Sequence, residues 1–254
     1  MIDDLHTDVP TYKYVDDTTI YEISNDANST KVQDAMTEIV NWSERNDMKI
    51  NQKKTKEMFI SFNKDPPAVP HVTVHGIPLE RVNSVSLLGL KISNNLTWEV
   101  HVNHMVKKAQ QRLYCLNMLR RSKLAPVDIM QIYQSRIRPV LEYASPAWHA
   151  GLTVEQSDAI EHIQKRAMRI AYPDLTYEEA CKQANIPLLH ERRISQCKTL
   201  FVKMQDSSDK LNRILPPPRE NVRNTRCSMK FKPPKVHTER YKNTFLPFVL
   251  FNCQ

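Results

Sequence analysis

The chain has 254 residues, 41% of them hydrophobic and 25% charged, so it can form one or two domains with a core and is not a disordered protein. Its formal net charge is +8, and its three glycines form neither a G-x-G-x-x-G loop nor a Walker A phosphate-binding loop. The five cysteines contain no C-x-x-C pair, which argues against a zinc knuckle, and no apolar run is long enough to cross a membrane.

The first part of the chain has the pattern of short strands around one helix. Two runs rich in Thr, Tyr and Ile, at 10–15 and 18–23, predict paired strands with Asp16 and Asp17 in the turn between them. An apolar stripe of helical period predicts a helix over about 29–47, capped by Asn28 or Ser29. Further short strands are predicted at 57–62, 72–74 and 85–92.

After Asn95 the pattern becomes helical. Apolar residues at helical spacing predict a first helix capped by Thr97 or Asn95, and a second over 127–143 with a kink at Pro139. From residue 206 onward, prolines and scattered basic residues predict a linker or a disordered tail. Two capping-box patterns and a last apolar stripe predict three further helix starts, at Thr153–Gln156, Thr176–Glu179 and Pro187.

The distribution of charge along the chain is uneven. Residues 1–95 contain 10 basic and 14 acidic side chains, a net charge of −4. Residues 96–205 contain 16 and 10, and residues 206–254 contain 10 and 4, so each of these segments has a net charge of +6. This asymmetry is typical of a polyanion-binding surface next to an acidic site, and a solvated charged surface is the alternative interpretation.

The start of the chain is acidic and has neither the basic residues nor the apolar stretch of a secretory signal peptide. Without such a signal, we expect an intracellular protein whose thiols are reduced. Nuclear and cytoplasmic locations fit this expectation equally.

Tyr14-Val15-Asp16-Asp17 is the most informative string of the sequence. Adjacent side chains of a straight strand point to opposite faces, and a turn only partly relaxes this, so the two carboxylates are not equivalent. Mg²⁺ binds oxygen ligands, usually one or two carboxylates together with substrate phosphates, so one Asp can be the main ligand and the other accessory. Asp is also a common turn residue, and an acidic turn without a metal is the alternative interpretation.

The same tetrapeptide resembles the Y-x-D-D box of reverse transcriptases, and the resemblance continues in order over about residues 1–205. It continues through a lysine-bearing segment, a Leu-Gly hairpin of the primer-grip type and the entry to the thumb. A stretch that follows the thumb in non-LTR retrotransposon polymerases of the jockey type comes last. These segments are 49–56 (KINQKKTK), 85–90 (VSLLGL), 95–98 (NLTW) and 137–148 (IRPVLEYASPAW).

The resemblance implies an α+β fold with three regions. A partial polymerase palm of antiparallel hairpins and one helix covers 1–95, a mostly helical thumb-like region covers 96–205, and a basic, proline-containing tail covers 206–254. It also implies RNA-directed DNA polymerisation, with two Mg²⁺ ions, dNTPs and a duplex of RNA template and DNA primer. No membrane partner is expected.

The resemblance also assigns roles to the site residues. Asp16 is implied as the metal ligand and Asp17 as the accessory carboxylate, while Tyr14 supports the primer end or the nucleotide pocket. Lys54, with Lys53 as the weaker candidate, is implied as the general acid that protonates the leaving pyrophosphate. The alternative interpretation of Tyr14 is a packed strand tyrosine, and that of Lys54 is a solvated lysine. For the Leu-Gly segment at 88–90, the alternative is an ordinary hairpin. The residues implied to grip the primer backbone are Leu88, Gly89 and Leu90.

Basic side chains accompany the apolar stripe of the first C-terminal helix. They can run along the phosphate backbone of a duplex, which gives affinity without sequence recognition. A solvated helix face is the alternative. These residues are Lys107, Lys108, Arg112, Arg120, Arg121 and Lys123.

One part of the family's site has no counterpart in this sequence. In the family, a palm strand upstream of Y-x-D-D supplies another catalytic Asp and the fingers also lie upstream, whereas only thirteen residues precede Tyr14 here. Asp3 and Asp4 are poor substitutes, because the family's ligand comes from a different strand. We therefore expect an inactive C-terminal part of a reverse transcriptase. The alternative is a non-catalytic nucleic-acid-binding remnant of a retroelement.

Overall fold

The structure is a computed structural model, and it describes residues 4–24, 31–218 and 230–253. The chain forms two compact units, 1–97 and 98–254, so the division lies two residues beyond the predicted boundary at 95. The first unit combines short strands with one helix, and the second is helical. Among the described residues, no helix has the length and apolar character needed to span a membrane.

The described part of the first unit consists of local strand pairs and one helix. Its elements are β1 (Thr11–Tyr14), β2 (Asp17–Ile20), α1 (Val32–Arg45), β3 (Lys56–Glu57), β4 (Thr73–Val74), β5 (Ile77–Pro78), β6 (Glu80–Arg81), β7 (Ser84–Leu87) and β8 (Leu90–Ser93). The pairs β1–β2, β4–β5 and β7–β8 are antiparallel hairpins, and β3 pairs with β6 in parallel. One helix and antiparallel hairpins are predicted for 1–95, and the parallel pair β3–β6 is not.

The strand predicted over 57–62 is only two residues long, Lys56–Glu57. The Glu57 carboxylate accepts hydrogen bonds from Arg81 Nε and from the Val72 amide, each at 2.8 Å. Arg81 Nη2 also donates to the carbonyl oxygen of Pro70 at 2.9 Å. These bonds hold the segment around Pro70 and Val72 beside Glu57 and Arg81 through side chains.

The helix α1 and the β4–β5 hairpin share a small apolar core. Met36 and Val40 of α1 are buried against Val74 of β4. The side chain of Gln33 fixes this contact, since its Oε1 accepts the Thr73 amide at 2.7 Å and its Nε2 donates to the Thr73 carbonyl at 3.2 Å. The amide thus pairs with β4 as a neighbouring strand would.

The second unit is helical throughout its described residues. Its helices are α2 (Glu99–Arg121), α3 (Pro126–Ile132), α4 (Arg138–Glu142), α5 (Ser145–Trp148), α6 (Val154–Ala171), α7 (Tyr177–Ala184), α8 (Leu189–Met204), α9 (Glu239–Lys242) and α10 (Phe245–Asn252). A π-helical segment, Tyr133–Ile137, joins α3 to α4. It lies within the helix predicted over 127–143 and ends two residues before Pro139, whose ring has no N–H to donate to the preceding turn.

The predicted caps of α1 and of α2 have different outcomes. Asn28 and Ser29, the predicted caps of α1, lie outside the described residues. The N-cap position of α2 is Trp98, without a side-chain cap, rather than Thr97 or Asn95. The Asn95 side chain instead accepts hydrogen bonds from the amide and hydroxyl of Thr97, at 3.1 and 2.9 Å, and closes the turn before the helix.

Both predicted capping boxes are confirmed. At the start of α6 the Gln156 amide donates to Thr153 Oγ1 at 3.2 Å, and the Thr153 amide donates to Gln156 Oε1 at 3.1 Å. At the start of α7, Thr176 and Glu179 form the same arrangement, and the hydrogen bonds from Thr176 lower the pKa of Glu179. These caps depend only on residues three positions apart, so the sequence alone predicts them.

The apolar faces of α2 and α6 form the centre of the second unit, where the two helices pack along each other. Both faces follow the helical period that the sequence predicts, and their residues are buried. On α2 they are Val102, Met105, Ala109, Leu113 and Leu116, and on α6 they are Ile160, Ile163, Ala167, Met168 and Ile170.

A completely buried guanidinium, that of Arg193 in α8, lies beside this core. Its Nε lies 3.3 Å from His149 Nδ1, and its Nη2 donates to Ser157 Oγ at 2.8 Å. Its central carbon lies 5.9 Å from the ring centroid of Trp148, within range of a cation–π interaction. The His149 ring also meets the Phe248 ring edge-on at 5.4 Å. These contacts join α5, α6, α8 and α10.

Within the described part of 206–254, a segment packs against α8, whereas the composition of 206–254 predicts a linker or a disordered tail. Cys197 and Phe201 of α8 are buried with Val249 and Leu250 of α10. Phe231 joins them, with its ring 6.0 Å from that of Phe201. The many basic residues and prolines of this segment obscure a short apolar run that covers α8.

The contact between Arg193 and His149 predicts a pH-dependent stability. Burial, and then the neighbouring Arg193 charge, lowers the pKa of His149 to about 4, whereas an unfolded histidine titrates at about 6.5. The unfolded chain therefore binds the proton more readily than the folded chain. The free energy of unfolding should thus decrease as the pH falls from about 6.5 toward 4, and His149 should have no such effect above about pH 7.

The substitution His149→Gln isolates this effect, because glutamine keeps an acceptor for Arg193 and does not titrate. Urea unfolding of the wild type and the variant should be compared between about pH 7.5 and 4.5. The wild type should lose stability relative to the variant as the pH falls. A stability difference that is the same at every pH would contradict the assignment.

Candidate functional site

The Tyr14-Val15-Asp16-Asp17 string forms the end of the β1–β2 hairpin, as predicted. Tyr14 pairs with Asp17 across the two strands, and Val15 and Asp16 form the turn. All four residues are exposed, so both carboxylates face solvent.

The turn forces Val15 into an unusual backbone conformation. Its φ is +58°, in the left-handed region where a Cβ meets the backbone and where β-branched residues are rare. Hairpins with two-residue turns favour positive φ because it matches the twist of the strands, and Gly, Asn or Asp usually occupies such positions. The turn formed by Val15 and Asp16 therefore contains local strain, which is typical of functional sites.

The base of the hairpin is held by the segment that precedes it. Leu5 and Val9 are buried, and Lys13 Nζ of β1 donates to the Leu5 carbonyl oxygen. The Thr11 hydroxyl donates to the Val9 carbonyl at 3.0 Å and lies 2.6 Å from the Thr7 hydroxyl. These bonds restrain β1, so the two aspartates are presented by an anchored element and not by a free loop.

One face of the hairpin is aromatic, a feature that the sequence analysis did not single out. Tyr12 and Tyr14 are exposed on alternate positions of β1. The Tyr12 and Tyr21 rings are stacked, with centroids 5.9 Å apart and planes 10° from parallel. The alternation of period two in T-Y-K-Y is the signal that places both tyrosines of β1 on one face.

The side chains of Asp16 and Asp17 suit one hard cation. Mg²⁺ takes carboxylate oxygens together with substrate phosphates and water, so this pair can hold one ion. Within 4–24, 31–218 and 230–253, no three His, Cys, Asp or Glu residues lie close enough to form a metal site. Asp4 has another partner, since its carboxylate accepts from Trp42 Nε1 at 3.1 Å, and this hydrogen bond lowers the pKa of Asp4.

Lys54 and Lys53 lie on a separate exposed turn that follows α1. The backbone of Asn51 organises this turn, because its carbonyl accepts the Lys54 amide at 3.0 Å and the Thr55 amide at 2.9 Å. The Asn51 side chain also accepts the Lys54 amide, at 3.2 Å. Both lysine side chains are exposed. The structure thus fixes the backbone that carries Lys54 and leaves its ammonium group at the surface.

The predicted primer-grip residues form the β7–β8 hairpin. Leu88 and Gly89 are the turn residues, with φ of +46° and +83°, and Leu90 begins β8. Positive φ at both central positions is the requirement of a type I′ turn. In the described residues, β1–β2 and β7–β8 remain separate two-stranded sheets, so no continuous sheet joins the two hairpins.

The basic residues predicted on the first C-terminal helix have two different environments. Lys107, Lys108, Arg120 and Arg121 are exposed on α2, and Lys123 is exposed just beyond its end. In the described part of the chain, none of them belongs to an ion pair. Glu99 is the single acidic residue of α2, so the helix does not neutralise its own cations.

Arg112 differs from the other basic residues of α2. It is half-buried, and one terminal nitrogen donates to the carbonyl oxygen of Arg136 in the π-helical segment. This bond ties α2 to the adjoining helical segment, so Arg112 has a structural partner that its position in the sequence does not indicate.

Comparison with known proteins gives one informative match. The chain is similar to a probable RNA-directed DNA polymerase from transposon BS of Drosophila melanogaster, with 25% identity over 169 residues. The match covers 65% of this chain and 18% of the length of the relative. No protein-family model matches the chain, and no solved structure matches it. The match supports the resemblance to a retrotransposon reverse transcriptase that the sequence motifs indicate.

The strain at Val15 predicts that glycine is favoured at this position. The substitution Val15→Gly removes the Cβ that opposes a φ of +58° and should raise the free energy of unfolding by up to about 1 kcal/mol. Val85→Gly, in the regular strand β7, is the matched control and should lower it. Denaturant unfolding measures both. Equal destabilisation by the two substitutions would show that the turn is unstrained.

Proposed function

We propose that this chain is the C-terminal palm and thumb part of the RNA-directed DNA polymerase of a non-LTR retrotransposon of the jockey type. The observation that carries the proposal is the anchored hairpin that presents Asp16 and Asp17 at an exposed turn. The similarity to the transposon BS polymerase supports it. In this proposal the first unit belongs to the palm and the helical unit contains the thumb and the region after it.

The site residues then have defined roles. Asp16 binds Mg²⁺ and Asp17 assists as the accessory carboxylate, together with the phosphates of the incoming dNTP. The bound ion supplies charge neutralisation during nucleotidyl transfer. Tyr14 supports the primer end, and Lys54 donates a proton to the leaving pyrophosphate. The primer backbone is held by Leu88, Gly89 and Leu90.

The helical unit supplies affinity for the duplex of RNA template and DNA primer. The exposed cations of α2 have no neutralising partners in the described residues, and they can pair with phosphates instead. Such contacts give affinity that does not depend on sequence and that releases counterions on binding. The net charge of +6 on 96–205 and of +6 on 206–254 favours the same kind of partner.

The second candidate function is a nucleic-acid-binding protein without polymerase activity. It is favoured by the small number of carboxylates at the hairpin, because two-metal transfer needs more ligands than Asp16 and Asp17 provide. In the described residues no third acidic or histidine side chain joins them. The match covers 18% of the length of the Drosophila relative. The proposal therefore assigns polymerase activity to a longer protein.

Primer extension distinguishes the two candidates. We expect no extension by the 254-residue chain on an RNA template with Mg²⁺ and dNTPs, because within 4–24, 31–218 and 230–253 no third ligand joins the aspartate pair. Joining the chain to the upstream part of the Drosophila relative should restore extension. In that fusion, Asp16→Ala should abolish extension, whereas Asp65→Ala, which removes another exposed carboxylate, should not.

Two results would contradict this expectation. Extension by the isolated chain that is lost in Asp16→Ala would show that residues of this chain complete the site. A fusion whose activity survives Asp16→Ala would exclude the hairpin as the metal site.

Duplex binding tests the proposed thumb separately from catalysis. The chain should bind a short RNA–DNA duplex weakly and without sequence preference, and about four phosphate contacts would lower the affinity about 100-fold between 50 and 200 mM salt. Filter binding measures this dependence. The variant K107Q/K108Q should bind more weakly with a shallower dependence on salt, and K198Q/K210Q, which removes two exposed lysines elsewhere, should not. Affinity that does not change with salt would exclude a duplex-facing thumb.

A further inference from the structure

A second group of basic residues lies on α6, where the sequence analysis did not place a site. Lys165, Arg166 and Arg169 are exposed, and their spacing of three and four residues puts them on one side of the helix. The opposite side carries Ile163 and Ala167, which are buried in the core. We call these three residues the α6 basic stripe.

The α6 basic stripe is not neutralised by its own helix. Lys165 and Arg169 are four positions apart, and Arg166 and Arg169 are three apart, so the like charges face each other and repel. Glu161, four positions before Lys165, would be the neutralising partner in an ordinary surface helix. Its carboxylate instead accepts hydrogen bonds from the Tyr177 hydroxyl and, at 3.2 Å each, from the first amides of α8.

The ion pairs of the described residues do not include any member of the stripe. Lys165 is held in another way, with its Nζ 5.5 Å from the ring centroid of Tyr177. That contact leaves the charge of the ammonium group uncompensated and restrains its position. The negative end of the helix dipole favours a cation at Arg169 in the last turn, but its effect does not reach Lys165 and Arg166.

We infer that the α6 basic stripe is a second contact surface for the sugar-phosphate backbone of a nucleic-acid duplex, an inference that rests on the proposed function of the chain. Phosphates would relieve the repulsion that the helix leaves in place. A membrane surface is a poorer partner, because a membrane-binding helix inserts its apolar face and that of α6 is buried. A protein partner would need exposed aromatic or aliphatic anchors beside the charges, and the exposed large apolar residue of α6, Val154, lies at its far end.

The test compares three variants of the full chain by fluorescence anisotropy with a labelled RNA–DNA duplex over a series of salt concentrations. The first, K165Q/R166Q/R169Q, removes the stripe. The second, K182Q/K198Q/K210Q, removes three other exposed lysines of the same unit and is matched in charge. The third, K165R/R166K/R169K, keeps the charges of the stripe. Melting temperatures verify that each variant is folded.

Loss of the stripe should weaken binding and reduce the slope of log K against log salt concentration by about two to three, because each lost phosphate contact removes about one. The charge-keeping variant should retain the wild-type slope. The slope of the matched control should differ from that of the wild type by no more than about one. A stripe variant that behaves like the matched control would overturn the inference.

The remaining outcomes separate this inference from the proposed function. If K107Q/K108Q weakens binding and the stripe variant does not, the duplex-binding thumb stands and the α6 inference fails. A lower melting temperature with an unchanged slope would show a structural role and overturn the inference. Stripe-dependent binding to phosphatidylserine vesicles, with an unchanged slope for the duplex, would also overturn it. A wild-type affinity that is independent of salt would exclude both proposals.

Discussion

The helical unit depends on the buried guanidinium of Arg193. A cation without exposed surface must find acceptors inside the protein, and here they are His149 Nδ1 and Ser157 Oγ. Burial lowers the pKa of Arg193, which shows that the site disfavours the charge it contains. The two acceptors lie on different segments, so the guanidinium joins the 3₁₀ turn at 149–151, α6 and α8, while its Nη1 is buried without a hydrogen-bond partner among the described residues. The bond to Ser157 joins α6, which carries the exposed cations, to α8.

The first unit depends on tight turns whose conformation its residues do not favour. Val15, His75 and Leu88 begin the turns of the three hairpins, and each has a positive φ. In two of these turns the second residue is a glycine, Gly76 or Gly89, which adopts a positive φ without strain. The strained residue of these two turns is therefore the first one, His75 or Leu88. Strands of two to four residues provide few ladder bonds to offset this strain. Side-chain bonds at the base of β1–β2 compensate, and they make that hairpin a restrained support for its two carboxylates.

The sequence predicts the features that depend on neighbours a few residues apart. The β1–β2 hairpin follows from the propensities of its strands, and the capping box at Thr153 follows from a spacing of three. The strand predicted over 57–62 was wrong beyond Glu57. Glu57 itself bonds to a distant arginine and amide, which no local pattern reveals. The tail predicted over 206–254 differs from the structure in the described part, because the apolar run of α10 covers α8. Which face of α8 is left for this run depends on tertiary packing, which the sequence does not show. The structural bond of Arg112 to the π-helical segment was missed for the same reason.

The separation of charge between the two units is a physical condition of the proposed function. Aspartates that bind Mg²⁺ must not be neutralised by neighbouring lysines or arginines, because an ion pair would compete with the metal for the carboxylate oxygens. Cations that bind phosphate must in turn be free of carboxylates. In the described residues, the ion pairs include neither Asp16 and Asp17 nor the exposed cations of α2. The net charge, −4 on 1–95 and +6 on each following segment, favours the same separation. Within the helical unit, Glu161 of α6 accepts hydrogen bonds from Tyr177 and from the start of α8, and it forms no ion pair with Lys165 in the described residues. The hydrogen bonds that assemble the helices therefore also keep the basic surface available to an external polyanion.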